Sequence, residues 1–271
     1  MTSRLTLVAV LAPAVAFAFA FFLLPLGQLV LIGASGEEGL ASYWRVVSDT
    51  LYLTSLANTV LLAGGVTLAT LTIAAVVGPF LAQNRFFGRS LLVALLTFPL
   101  AFPGVVVGFL VILTAGRQGL INEISRWLTG DRLVFAYSLA GLFFGYLYFS
   151  IPRVVLTVMA AADKLDRATI EAARSLGASP LAVARDVVLP ALKPAFIASG
   201  AICFATAMGA FGTAFTLATD ITVLPMTIYT EFTLGANLSM AAALSVFLGL
   251  VTWLVLLAAR RSAGATVAAA G

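Results

Sequence analysis

Six stretches of this chain run without a single charged side chain. They lie between Arg4 and Glu37, Asp49 and Arg85, Arg89 and Arg117, Arg132 and Arg153, Lys193 and Asp220, and Glu231 and Arg260, and hold 32, 35, 27, 20, 26 and 28 residues. A helix needs about 20 apolar residues to cross a hydrocarbon core of ~30 Å. Inside that core every backbone N–H and C=O must be satisfied within the structure, so only helices and closed barrels span it. Barrel strands alternate apolar and polar residues, and these runs do not. The chain therefore reads as all-α: a polytopic membrane protein with six transmembrane helices, at roughly 6–34, 54–83, 90–115, 133–160, 194–219 and 235–259. Residues 1–261 form one membrane domain and 262–271 a disordered tail. The ten uncharged residues between Asp220 and Glu231 are too few to span, and read as a loop or re-entrant piece. Pro25, Gly64, Gly65, Gly78, Pro79, Pro99, Pro103 and Pro152 predict kinks.

Composition agrees. Apolar residues make up 62% of the 271 and charged residues 10%, against roughly 45–50% and about 25% in soluble domains. A soluble globular enzyme and a disordered chain are both excluded. The first run is about twice the apolar length of a secretory leader, and reads as a retained helix. With no histidine and one cysteine, Cys203, there is no disulfide framework, no zinc site of the Cys/His kind and no histidine base. A phosphate-binding G-x-x-x-x-G-K-[ST] loop is missing, as are paired acids within the spans, so neither ATP binding nor proton coupling is built into this chain. The basic balance of +4 is ascribed to loops beside anionic lipid, not to nucleic acid.

Lys and Arg set the orientation. With the N-terminus inside, the inner side carries Arg4, Arg85, Arg89, Lys164, Arg167, Arg174, Arg185, Lys193, Arg260 and Arg261. The outer side carries only Arg45, Arg117, Arg126 and Arg132. Both termini and the longest polar connection are thus expected in the cytoplasm.

That connection, residues 163–190, is dense in helix signals. Asp166 is placed to cap a helix, and Ile170, Ala173 and Leu176 form a narrow apolar stripe. Gly177 sits where a left-handed residue ends a helix, and Ser179-Pro180 is a cap followed by a first-turn proline. Pro190 and Pro194 mark the entry to the fifth span. A surface hairpin lying on the membrane is one reading. The spacing supplies another: Glu171-Ala172-Ala173, three residues, Gly177, nine residues, Val187, one residue, Leu189-Pro190. This resembles the EAA loop of permease subunits of binding-protein-dependent ABC importers, with Val187 where the family has isoleucine. A weaker resemblance extends from about Leu53 to Arg260. It includes the Pro99/Pro103 element and Ala210-Phe211-Gly212-Thr213, where related permeases often have Glu-Phe-Gly; Ala210 carries no charge role.

The resemblance implies a type I ABC importer permease fold in which Glu171, Ala172, Ala173, Gly177, Leu189 and Pro190 belong to a coupling-helix hairpin. It implies as partners two ABC ATPase subunits that bind ATP and Mg, a second permease subunit and a solute-binding protein. The place would be a bacterial plasma (inner) membrane, with no catalytic residue, metal or cofactor in this chain. A polyamine-like solute is favoured over phosphonate, iron(III) or sulfate-type solutes; a secondary transporter and a non-transport scaffold are the alternatives.

Candidate pathway residues are Phe98, Pro99, Pro103, Arg153 and Phe211. Arg153 is the one charge within an expected span, and either snorkels to the cytoplasmic end or lines the inner mouth of a pathway. The Phe98-Pro99 and Phe102-Pro103 pairs either pack or break a helix at mid-membrane depth. Asp220 and Glu231 either contact a docked binding protein or belong to a solvated loop, and Trp44, Trp127 and Trp253 fit interfacial anchors.

Overall fold

Proline placement accounts for several of the interruptions in an otherwise helical chain. The computed structural model describes residues 4–36, 39–217 and 221–263. Their α-helices are α1 (Arg4–Ala18), α2 (Leu24–Gly33), α3 (Ala41–Ser48), α4 (Thr50–Gln83), α5 (Arg89–Thr97), α6 (Gly104–Ala115), α7 (Leu120–Thr129), α8 (Leu139–Ala162), α9 (Arg167–Ser175), α10 (Pro180–Val183), α11 (Leu189–Met208), α12 (Gly212–Leu217), α13 (Leu224–Thr233) and α14 (Leu238–Ala263). A π-helical turn, Phe19–Leu23, joins α1 to α2, and another, Ala184–Val188, joins α10 to α11. Each ends two residues before a proline, Pro25 and Pro190. A proline ring collides with the carbonyl four residues back and offers no N–H. Widening the preceding turn moves that carbonyl aside, so both helices continue through their proline.

Among the described residues, six helical stretches are long and apolar enough to cross a membrane: Val10–Gly33, Thr50–Gln83, Gly104–Thr129, Leu139–Ala162, Pro180–Met208 and Leu238–Ser262. Four expectations need correction. The third span, 90–115, is no single helix: α5 gives way to a 3₁₀ turn, Phe98–Ala101, then to extended backbone at Phe102 and Pro103, before α6 begins. Pro99 and Pro103 each remove a backbone donor, and Pro103 forces the residue before it out of the helical region. The fifth span begins with Pro180, not at 194, and ends at Met208, because Pro190 and Pro194 are absorbed within the helix. The supposed loop over 221–230 is largely α13, started by Pro225 in its first turn; Asp220 lies outside the described residues. Ser262 and Ala263 close α14; residues 264–271 of the expected tail lie outside the described residues.

The main core forms where α4 runs along α8, with α11 against both. Ala63, Val66 and Ala74 meet a buried face carrying Val154, Val155 and Val158. Small residues let the backbones approach where lipid supplies no hydrophobic drive. A second cluster, Val46, Tyr52, Leu224, Met240, Ala243 and Leu244, gathers α3, α4, α13 and α14 at the opposite end from α9. The Val10–Gly33 stretch buries none of its most apolar window; α2 touches α14.

Candidate functional site

The hairpin after α8 is specified residue by residue. Asp166 Oδ1 accepts from the Ala168 N–H at 2.9 Å and starts α9. At the other end Gly177, with φ +84°, supplies the left-handed residue. Its N–H donates to the Arg174 carbonyl at 2.9 Å, and the Ala178 N–H donates to the Ala173 carbonyl at 3.1 Å, the paired bonds that satisfy the last carbonyls of a helix. Ser179 Oγ then accepts from the Ala182 N–H at 3.2 Å and begins the returning limb. Ile170 and Val183 are buried at the root. A cavity of about 130 Å³ remains there between Leu165, Thr169, Ile170, Val187 and Ala191.

Of the expected apolar stripe, Ile170 is buried, Ala173 is half-buried, and Leu176 is 89% exposed. The helix ends at Ser175 and the chain reverses, so none of the described residues folds over Leu176. Leu181, across the turn, is 79% exposed. Glu171, Ala172, Gly177, Leu189 and Pro190 are exposed as well. At its turn the hairpin thus offers the leucines Leu176 and Leu181, the Glu171 carboxylate and a patch of bare backbone at Ala172. Its exposed ion pair, Arg185 Nε to Asp186 Oδ1 at 2.7 Å, is worth little in water.

Inside the bundle, the structure sets the two helix breaks side by side. Thr213 Oγ1 donates to the Gly104 carbonyl at 3.0 Å, tying α12 to the start of α6, while the Thr216 hydroxyl is shared between the Gly212 carbonyl at 3.0 Å and the Val105 carbonyl at 3.3 Å. A Cβ on Gly108 would fall 2.5 Å from Thr216 Cβ, so this approach needs glycine. The Tyr146 hydroxyl donates to the Ala210 carbonyl, satisfying the acceptor that the break in span five exposes. Pro103 and Phe211 therefore flank one seam. Phe211 packs with Phe215 at 5.3 Å and Tyr229 at 5.3 Å between ring centroids. Phe98, 59% exposed, meets Phe102 at 5.0 Å instead, so the two aromatic candidates are not joined. Tyr146 and Thr206 were not singled out in the sequence. A tyrosine or threonine in a charge-free run is the signal that points to them, since a buried hydroxyl needs a partner.

Arg153 lies nine residues before Ala162, about 14 Å along α8 from its hairpin end. Pro152, Val154, Val155 and Val158 are buried, while Arg153 and Thr157 share the exposed face one turn apart. Arg153 Nη1 donates to Thr206 Oγ1 at 3.0 Å, and Thr206 Oγ1 donates onward to the Ile202 carbonyl at 2.8 Å. Thr206 is near the end of α11 that lies away from the hairpin, so the guanidinium is held sideways and does not climb toward the hairpin end. No carboxylate pairs with it among the described residues. An arginine at the centre of a lipid-facing helix costs about 2.5–3.5 kcal/mol on insertion scales. Glu231, an expected docking acid, instead accepts from the Tyr52 hydroxyl at 2.8 Å. An apolar groove of about 280 Å³ between α4, α11 and α14 offers only the Thr67 hydroxyl among its lining side chains, a poor seat for a polar solute. Trp44, Trp127 and Trp253 are all exposed.

Residues 71–266 match the family model described as binding-protein-dependent transport system inner membrane component. The chain belongs to this family. It is a permease subunit of the ABC importer class, a membrane transport component and not an enzyme. A Salmonella typhi protein named as the permease PhnU of a 2-aminoethylphosphonate transport system is 31% identical, covering 87% of this permease and 84% of that protein. The sulfate transport system permease CysT of Salmonella typhimurium is 32% identical over 76% of this permease and 72% of its own length. Among solved structures, a chain of a bacterial alginate ABC transporter bound to an alginate-loaded periplasmic protein superposes with a TM-score of 0.83. It covers 96% of this permease and 94% of that chain at 19% identity, which speaks to the fold. The polyamine leaning finds no support in these relatives, and family membership disfavours the secondary-transporter and scaffold alternatives.

Proposed function

We propose that this permease imports a small oxyanion handed over by an extracytoplasmic binding protein. It would be one half of a permease pair, formed with a second copy or a related chain, in a bacterial inner membrane. Two cytoplasmic ATPases would bind ATP and Mg and grip the hairpin, with both termini on their side. Glu171 would pair with a basic residue of the ATPase, Leu176 and Leu181 would fill its groove, and Ala172 and Ala173 would let the two backbones approach. Closure of the ATPases would then reach the seam at Pro103 and Phe211, and alternating access would follow.

The observation that carries this reading is the hairpin: a turn fixed by Asp166, Gly177 and Ser179, presenting exposed leucines that none of the described residues covers. The relatives' names, phosphonate and sulfate, support the anion class. So does the absence of any acid in α4, α6, α8, α11 and α14. The test is copurification and uptake in vesicles. Replacing Glu171 by Lys is expected to leave membrane insertion intact and to lower ATP-driven uptake about tenfold, the scale of one truncated interfacial charge pair. Changing Leu176 and Leu181 together to Asp should abolish copurification of the ATPase. Unchanged uptake and ATPase retention in both variants would refute the coupling role.

A further inference from the structure

We infer that the Arg153 guanidinium, steadied by Thr206, is the point within the membrane that receives the transported oxyanion. The inference rests on the permease reading and adds a site and a ligand chemistry to it.

A guanidinium presents five N–H donors in a planar fork. Here one of them is used, on Thr206 Oγ1 at 3.0 Å. The others have no acceptor among the described residues. Thr206 gives its own hydrogen to the Ile202 carbonyl at 2.8 Å, so only its lone pairs face Arg153. That contact anchors one edge of the fork and leaves the rest open. Planar, delocalised and permanently charged, the group suits two-point recognition of a phosphonate or sulfate oxygen pair.

The surroundings exclude the alternatives. Depth along α8 and the sideways bond to α11 remove the hairpin-end aqueous layer as the charge's partner. Lipid cannot be the partner either, since an uncompensated guanidinium does not face hydrocarbon. What remains is the face turned toward the second permease of the proposed pair, where water or solute in a pathway reaches it. The fixed charges favour an anion over a polycation: no carboxylate lies in α4, α6, α8, α11, α12 or α14, and Glu231 in α13 is engaged by the Tyr52 hydroxyl. The position is apt as well. Thr206 is two residues from the end of α11, next to the break at Gly209–Phe211, so an anion on Arg153 sits beside the seam that joins α6 to α12.

The experiment uses the whole transporter in proteoliposomes, with sulfate, molybdate and 2-aminoethylphosphonate as anionic probes and spermidine as the cationic one. The parent complex should move at least one anionic probe and no spermidine. Arg153→Gln should cut anion moved per ATP hydrolysed about tenfold, a ratio that a purely structural defect, which lowers both terms, leaves unchanged. Arg153→Lys, which keeps the charge but loses the fork, should retain part of the uptake. A fully assembled Arg153→Gln complex with the parent ratio overturns the site. Should Arg153→Gln fail to assemble, Arg153→Lys decides: an undiminished ratio overturns the fork, and a clear fall with assembly intact supports it. A parent complex that moves spermidine and no anion overturns the ligand class yet leaves the permease reading standing. If the chain retains no ATPase and drives no ATP-dependent uptake, the permease reading falls and this inference falls with it.

Discussion

Gly177 shows how much one backbone angle carries. Its φ of +84° lies where a Cβ meets the following carbonyl, at a cost of about 1–2 kcal/mol for other residues. The Gly177→Ala variant should loosen the hairpin by about 1 kcal/mol, read as faster hydrogen exchange at the Gly177 and Ala178 amides, which donate to Arg174 and Ala173. Protection equal to the parent's would mean that the turn is not held by those bonds. This position was legible beforehand, because Asp166, Gly177, Ser179 and Pro180 are local signals that act within four residues. The exposure of Leu176 was not legible: its apolar spacing marks a stripe, but burial depends on what lies across the turn, and none of the described residues covers that face.

At the scale of helices, the π-helical turn at Ala184–Val188 sets the rotation between the hairpin's returning limb and the membrane limb of the same helix. Pro190 creates that turn by denying a hydrogen bond to the Asp186 carbonyl. Pro190→Ala should restore it, and the helix interior gains up to about 3 kcal/mol in propensity. The extra residue is then taken up, turning Leu181 by about 100° relative to Phe204. Engineered cysteine cross-links between the hairpin and a copurified ATPase should shift accordingly, and ATP-driven uptake should fall although the helix is intrinsically more stable. An unaltered cross-link pattern would show that the turn is held by something other than the proline. The two π-helical turns and the extent of the fifth helix were not legible, since a proline in a membrane helix stops, kinks or widens it according to neighbours that a linear reading does not contain. The break at Pro99–Pro103 was legible only as a kink: two prolines four residues apart mark the place, but whether the helix bends there or stops depends on what packs against it.

For the molecule as a whole, the number of spans was readable from charge gaps alone, whereas the inward faces were not. Lipid and protein interior favour the same side chains, so periodicity marks no core; Ala63 and Val66 are buried while the neighbouring Leu61 and Leu68 are exposed. Orientation has a direct check. Cys203 is the only cysteine and is buried, so Cys203→Ala leaves a background for single labels. A membrane-impermeant thiol reagent should reach Leu176→Cys only from the cytosolic side and Trp127→Cys only from outside. The reverse pattern would remove the hairpin from any ATPase. Pro180–Met208 is helical along all of its 29 residues, about 43 Å end to end. Under the proposed coupling role such a rod would work as a tiller: a swing of about 5° at its hairpin tip would displace the far end by roughly 4 Å, near the width of one side chain, so a small push on Leu181 would be enough to part or join the walls beside Phe211.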